Sequence, residues 1–162
     1  MKVLGFTGTR NVVKGESWRM LHVRHEYFVD FDRFVTGACR GWDAYAGEWL
    51  LRMFPSKQHE VVVPFNRSQV NYWWEQDEIK ALIESARHEY PETFRFMVYE
   101  MHKDSSYKDR NQEIVDTSTD LFYCADYPEQ HGQSTRSGTW QTVRIARRVL
   151  GESHIRGIVL NA

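Results

Sequence analysis

The sequence predicts a three-layer α/β fold, a mainly parallel sheet with helices on both faces. Three observations predict it. Six short apolar runs alternate with segments of helical period along the whole chain. The runs are rich in Val, Ile, Phe and Tyr and mostly do not alternate with polar residues, as expected of strands covered on both faces. Strand and helix also succeed each other singly, so the strands must pair in parallel through crossover helices rather than as hairpins. No repeat, low-complexity tract or composition break marks a linker, and residues 1–162 read as one domain. A chain of about 150 residues hides roughly 70% of its unfolded surface, enough for a sizeable core.

Each element has its own signal. The run Val3–Phe6 gives the first strand, and Trp18, Leu21, His25 and Phe28 then share one helical face. The second strand is Phe34–Thr36, followed by a helix in which Ala46, Trp49, Leu50, Met53 and Phe54 fall at i, i+3, i+4, i+7 and i+8. Val61–Val63 is the third strand; a polar loop, Pro64–Asn71, separates it from Tyr72-Trp73-Trp74 and a helix carrying Ile79, Leu82, Ile83 and Ala86. Phe94–Tyr99 is the fourth strand, and the next helix carries Tyr107, Ile114 and Val115. Leu121–Cys124 is the fifth strand. The connection Asp126–Ser137 is long for a compact domain, a length associated with function or mobility. The last helix presents Trp140, Val143, Ala146 and Leu150, and Ile155–Leu160 closes the sheet. His22 and His25 read as core histidines, and Lys103-Asp104 with Arg144, Arg147 and Arg148 as solvated faces.

Composition narrows the function. The chain has 21 Lys and Arg against 22 Asp and Glu, a net charge of -1. A protein that grips a nucleic-acid backbone normally carries a basic surplus, so this balance argues against nucleic acid as a partner. Cys39 and Cys124 belong to no CxxC or Cys/His cluster, and no metal site is expected. MKVLGFTGTR lacks the apolar core of a secretory signal, and no stretch is long enough to span a bilayer; a reduced, cytoplasmic protein without membrane contact is expected.

Parallel strands joined by right-handed crossovers put their C-terminal ends on one edge, where such folds bind ligands. Gly8, Thr9 and Arg10 follow the first strand, Gly37, Gly41 and Asp43 the second, and Ser137, Gly138 and Thr139 open the last helix. Glycines let the backbone approach a ligand, and free N–H groups at a helix start favour an anion. That helix-end contribution is only about 0.3–1 kcal/mol at exposed sites. Arg10, Arg110 or Arg136 must therefore add charge-assisted bonds to a phosphate. Asn111 falls on the apolar stripe of its helix, where an unbonded amide costs about 1–3 kcal/mol. Taken singly each piece has a structural reading: Ser137, Asp43 or Thr36 as a helix cap, and the glycines as turn formers. Neither GxxxxGK[ST] nor GxGxxG occurs, so no ATP or dinucleotide cofactor is expected.

The segments TGTR at 7–10, VTGACRGWDAYAGEW at 35–49, DRNQEIVDTSTDLF at 109–122 and SGTWQTVRIARRVLG at 137–151 together resemble the SLOG superfamily. That group of Rossmann-like proteins includes the LOG-type phosphoribohydrolases and the DprA-type proteins. The resemblance implies a site for a nucleotide or nucleotide-derived phosphorylated ligand, acting as sensor, sequestering protein or regulatory module, often in a homo-oligomer. It also implies, in catalytic members, hydrolysis of the N-glycosidic bond of a nucleoside monophosphate, or a deoxyribosyltransferase-like reaction. Those members carry PGGxGTxxE; here Gly138 and Thr139 match, while Thr142 stands in place of the glutamate. A positioned acid or base contributes about 10²–10⁴-fold to rate, and threonine cannot serve. Asp43, Glu48 and Glu113 are the carboxylates that could substitute. Ligand binding is thus expected ahead of turnover. A DprA-like nucleic-acid binder, with Trp42, Trp73 and Trp74 stacking bases, comes last.

Overall fold

The computed structural model describes residues 1–64, 72–130 and 137–162. Its strands are β1 (Val3–Gly8), β2 (Arg33–Gly37), β3 (Gln58–Val63), β4 (Arg95–Glu100), β5 (Asp120–Ala125) and β6 (Ile155–Val159), each containing or overlapping an expected apolar run. They form one six-stranded sheet in the order β4-β3-β2-β1-β5-β6. Every neighbouring pair is parallel, with Gly5 of β1 opposite Val35 on one side and Leu121 on the other. The arrangement is the Rossmann-like α/β fold that the sequence predicts.

The helices are α1 (Lys14–His22), α2 (His25–Phe28), α3 (Trp42–Met53), α4 (Asp77–Glu89), α5 (Tyr107–Asp116) and α6 (Gly138–Val149). Where periodicity suggested one helix from Trp18 to Phe28, the chain makes two. α1 stops at Val23, whose N–H reaches back to the Arg19 and Leu21 carbonyls, and Arg24 Nη1 donates to the Met20 carbonyl at 2.7 Å. Leu21 and Phe28 still reach the core. The histidines between them do not: His22 is exposed, and half-buried His25 lies over Phe54 with ring centroids 4.9 Å apart. The core-histidine expectation fails because both rings lie at the margin of the core, edge-on against Trp49, rather than inside it.

Each face of the sheet has its own core. On one side α1, α2 and α3 bury Leu21, Phe28, Trp42 and Leu50 against Phe6, Phe34 and Phe122. On that side α4 packs Ile79 and Ile83 against Val61 and Val63 of β3. On the other, α5 and α6 bury Ile114, Val115, Val143 and Ala146 against Val3, Val35, Val62 and Leu121. Among the described residues no helix is long and apolar enough to cross a membrane.

The strand order matters most for function. From β1 the chain runs outward through β2, β3 and β4; it then returns across the opposite face to β5, beside β1, and on to β6. The connections leaving β1 and β5 thus diverge to opposite sides of the sheet. A crevice opens outside the carboxyl ends of those two strands, where open α/β sheets take their ligands.

Candidate functional site

At that crevice lies a cavity of about 770 Å³. Its walls come from the exit of β1 (Thr7 to Asn11), the β2–α3 connection (Cys39 and Asp43) and the first turns of α5 (Tyr107, Arg110 and Asn111). The exit of β5 (Asp126, Tyr127, Pro128 and Gln130) and the start of α6 (Ser137 to Gln141) complete them. Gly8, Thr9, Arg10, Asp43, Arg110, Asn111, Ser137, Gly138 and Thr139 are therefore brought together. Gly37 and Gly41 stand just behind. A Cβ on Gly37 would collide with the Asp43 carboxylate and the Arg110 guanidinium. Gly41 has φ 84°, and its α-carbon faces the backbone of Thr9 and Arg10, so only glycine fits. Arg136 lies outside the described residues, as does half of the connection at 126–137 (residues 131–136).

Local chemistry shapes each loop. The Thr9 hydroxyl accepts the Asn11 N–H at 2.9 Å and sets the turn out of β1. The Trp42 N–H then donates to the Thr9 carbonyl at 3.0 Å, tying the start of α3 to that turn. Asp43 does not cap α3; its Oδ2 accepts the Cys39 N–H at 3.2 Å. Burial pushes the Asp43 carboxyl above its ordinary range, and the Arg110 guanidinium, the Cys39 N–H and Arg10 pull the other way. Ser137 caps α6, its hydroxyl accepting the Trp140 N–H at 3.3 Å. Gly138 and Thr139, ahead of that bond, have N–H groups without a backbone acceptor among the described residues.

Arg110 is the centre of the basic wall. It is buried, with Nε donating to Asn111 Oδ1 at 3.0 Å and Nη2 directed at Cys39 Sγ at 3.6 Å. Nη1 has no partner among the described residues. The bond to Nε is what allows the Asn111 amide to sit on the apolar stripe of its helix. Arg10, exposed at the rim, also reaches Cys39 Sγ, at 3.5 Å. Both guanidinium groups lie over the Tyr107 ring, at 5.8 Å for Arg10 and 5.4 Å for Arg110.

The other two carboxylates named from sequence lie elsewhere. Glu48 is held by Lys14 at 3.0 Å and Arg52 at 3.2 Å, joining α1 to α3. Glu113 lies farther along α5, near Glu60 of β3, and does not line the cavity. The three tryptophans offered as base-stacking surfaces are all buried: Trp42 packs on Phe122, Trp73 on Phe96 and Trp74 on Tyr72. Exposed rings at the cavity belong instead to Tyr107 and Tyr127. The sequence does hold a weak signal for them, since one opens a capped helix and the other stands two residues past the end of a strand.

Arg144 and Arg147 are also not simply solvated. Both bind Glu129, at 3.0 and 2.7 Å. Burial pushes the Glu129 carboxyl up, and the hydrogen bonds from Arg147 and Arg144 outweigh it, leaving the group below its ordinary range. With Trp140 Nε1 donating to the Tyr127 carbonyl at 3.0 Å, this pins the segment after β5 onto α6.

The two thiols differ in a way that can be measured. Cys124 is fully buried in β5, and burial pushes its thiol up to about 12. Cys39 is half-buried and lines the cavity. An aromatic disulfide reagent is expected to titrate one thiol per native chain, Cys39, and the second only in denaturant. Two thiols reacting at one rate would contradict the burial of Cys124.

No protein-family model and no curated protein matches the chain. Among solved structures it is similar to DNA processing protein A from Helicobacter pylori, described for its single-stranded DNA binding mode. The TM-score is 0.57 at 16% identity, covering 97% of this chain and 64% of that one. The present chain thus spans just under two thirds of that protein's length, and the likeness establishes a DprA-like Rossmann-like fold. It also corrects two expectations. A small nucleotide-like ligand was expected, and nucleic acid was set aside on net charge; the solved protein with this fold is a single-stranded DNA binder. Net charge averages the whole surface and does not report where charges lie; the crevice gathers Arg10 and Arg110 beside Asp43 and Asp126.

Proposed function

We propose that this chain binds single-stranded DNA across the carboxyl edge of its sheet, with the strand's phosphates on the wall formed by Arg10, Arg110 and the start of α6. The observation that carries the reading is the exposed Arg10 guanidinium stacked beside buried Arg110 over Tyr107, in a cavity also lined by Gly138 and Thr139, whose N–H groups have no backbone acceptor among the described residues. A helix start and guanidinium groups are phosphate-binding elements, and backbone contacts dominate affinity for nucleic acid. Tyr107 and Tyr127 give bases a surface, and stacking on an aromatic ring contributes about 1–3 kcal/mol per base. The fold shared with a single-stranded DNA binder supports the same reading.

Fluorescence anisotropy with a labelled single strand, and with the same strand in a duplex, tests it at low salt. The single strand is expected to bind more tightly, with affinity falling as salt rises. Arg10→Ala is expected to weaken binding about 10-fold and to reduce the salt slope by about one counterion. Equal affinity for strand and duplex, or no binding at low salt, would overturn the proposal.

A further inference from the structure

We propose that Asp126, together with Asn11, reads guanine in the bound strand; the inference rests on the single-strand reading above and adds base selectivity to it. A carboxylate on the wall of a cavity that receives a polyanion is repelled unless something neutralises it or it is aimed at a donor. Asp43 is neutralised, since it is buried and faces Arg110 and the Cys39 N–H. Asp126 is not: among the described residues its carboxylate meets only the Asn11 amide, with Nδ2 donating to Oδ2 at 3.1 Å. Its place is nevertheless fixed. The Asp126 carbonyl accepts the backbone N–H and the side-chain amide of Asn161, both at 2.9 Å, at the exit of β5.

The pair presents one donor beside two acceptor oxygens. Guanine is the base whose Watson–Crick edge complements that order, with the O6 acceptor beside the N1–H and N2–H donors. Adenine and cytosine each present one amine flanked by an acceptor, and thymine places its single N–H between two carbonyls. Tyr127 follows Asp126 in the chain, is exposed and lines the same cavity, so it offers a base a ring to lie on beside the carboxylate. In the structure the Asn11 amide satisfies Oδ2; when guanine binds, that amide turns to O6 and the carboxylate takes the two N–H groups.

The experiment is an anisotropy titration with a thymine strand carrying one central guanine. The same strand is also measured with hypoxanthine in that place, which lacks only the N2 amine, and with thymine throughout. The guanine strand is expected to bind about 10-fold more tightly than the all-thymine strand, with hypoxanthine between them. Asp126→Asn, checked for folding by its melting curve, is expected to abolish the ranking. Equal affinity for the three strands, or a guanine preference that survives Asp126→Asn, overturns the inference while leaving single-strand binding intact. If no strand binds at low salt, the single-strand reading itself fails and this inference falls with it.

Discussion

Trp42→Ala is expected to lower the free energy of unfolding by about 3–5 kcal/mol, and Gly8→Ala to recover part of that loss when the two are combined. Trp42 is completely buried and lies nearly parallel to Phe122, with ring centroids 6.2 Å apart. Its truncation leaves a cavity between α3 and the central strands that rigid neighbours cannot close. Gly8 lies directly against the same ring, so that a methyl there would run into it. On its own, Gly8→Ala overpacks the site and costs about 1–3 kcal/mol. In the Trp42→Ala background the methyl enters vacated space, and the double variant should be more stable than the sum of the singles predicts. Urea unfolding of the four proteins measures this directly; strict additivity would mean that Gly8 and Trp42 do not share the contact. The effect carries into function through the side chain: the Trp42 ring lies against Gly8, in the segment that presents Arg10, and its loss frees that segment even though the Trp42 N–H bond to the Thr9 carbonyl is kept. Under conditions where Trp42→Ala is still folded, single-strand binding should weaken as well.

The fold was legible because burial on both sides of a parallel sheet leaves local marks. Val61–Val63 and Leu121–Cys124 are apolar without alternation, and each falls inside an observed strand. Helix periodicity was equally informative for α3, whose Trp49 and Leu50 are buried at the expected positions. It failed across residues 23 and 24, where Leu21 and Phe28 keep the right spacing although the helix between them is broken. Periodicity records which side chains reach the core, and two short helices can satisfy it as well as one.

For the site, glycine-rich turns and arginines pointed to loops that line the cavity, since their position after strands is written in the sequence. The places of Asp126, Tyr127 and Asn11 at the cavity were not marked. They depend on β5 lying beside β1, which makes the exits of these two strands the walls of one crevice. That adjacency is a property of strand order, and no local pattern encodes it. Trp42, Trp73 and Trp74 follow the more general pattern: aromatic residues near apolar runs are core more often than stacking surfaces, and all three are buried against neighbouring rings.

Acid is expected to destabilise the protein by about 3 kcal/mol through one residue, His59, as the pH falls from about 6.5 to 4. The ring is buried in β3 between Phe34 and Phe94, and Nε2 donates to the Phe54 carbonyl at 2.9 Å. Burial disfavours the imidazolium and lowers its titration to about 4; the Phe54 carbonyl opposes that shift and Lys57 adds to it. The unfolded chain takes up its proton near 6.5, so below that pH unfolding is coupled to proton uptake. The stabilising contribution is therefore complete above pH 6.5 and is lost as the pH falls through the folded value of about 4. Glu60, next in the strand, works in the other direction: burial and nearby Glu113 raise its carboxyl against the pull of Arg33, so it gains stability as acid is added. Comparing wild type with His59→Gln removes that background, because Glu60 is present in both. The variant should be the less stable near neutrality, where it has lost ring packing. The gap should then close by about 3 kcal/mol on acidification to pH 4, read from urea midpoints. A gap that stays constant across that range would mean that His59 titrates alike in the folded and unfolded chains and is not sealed beneath Phe54.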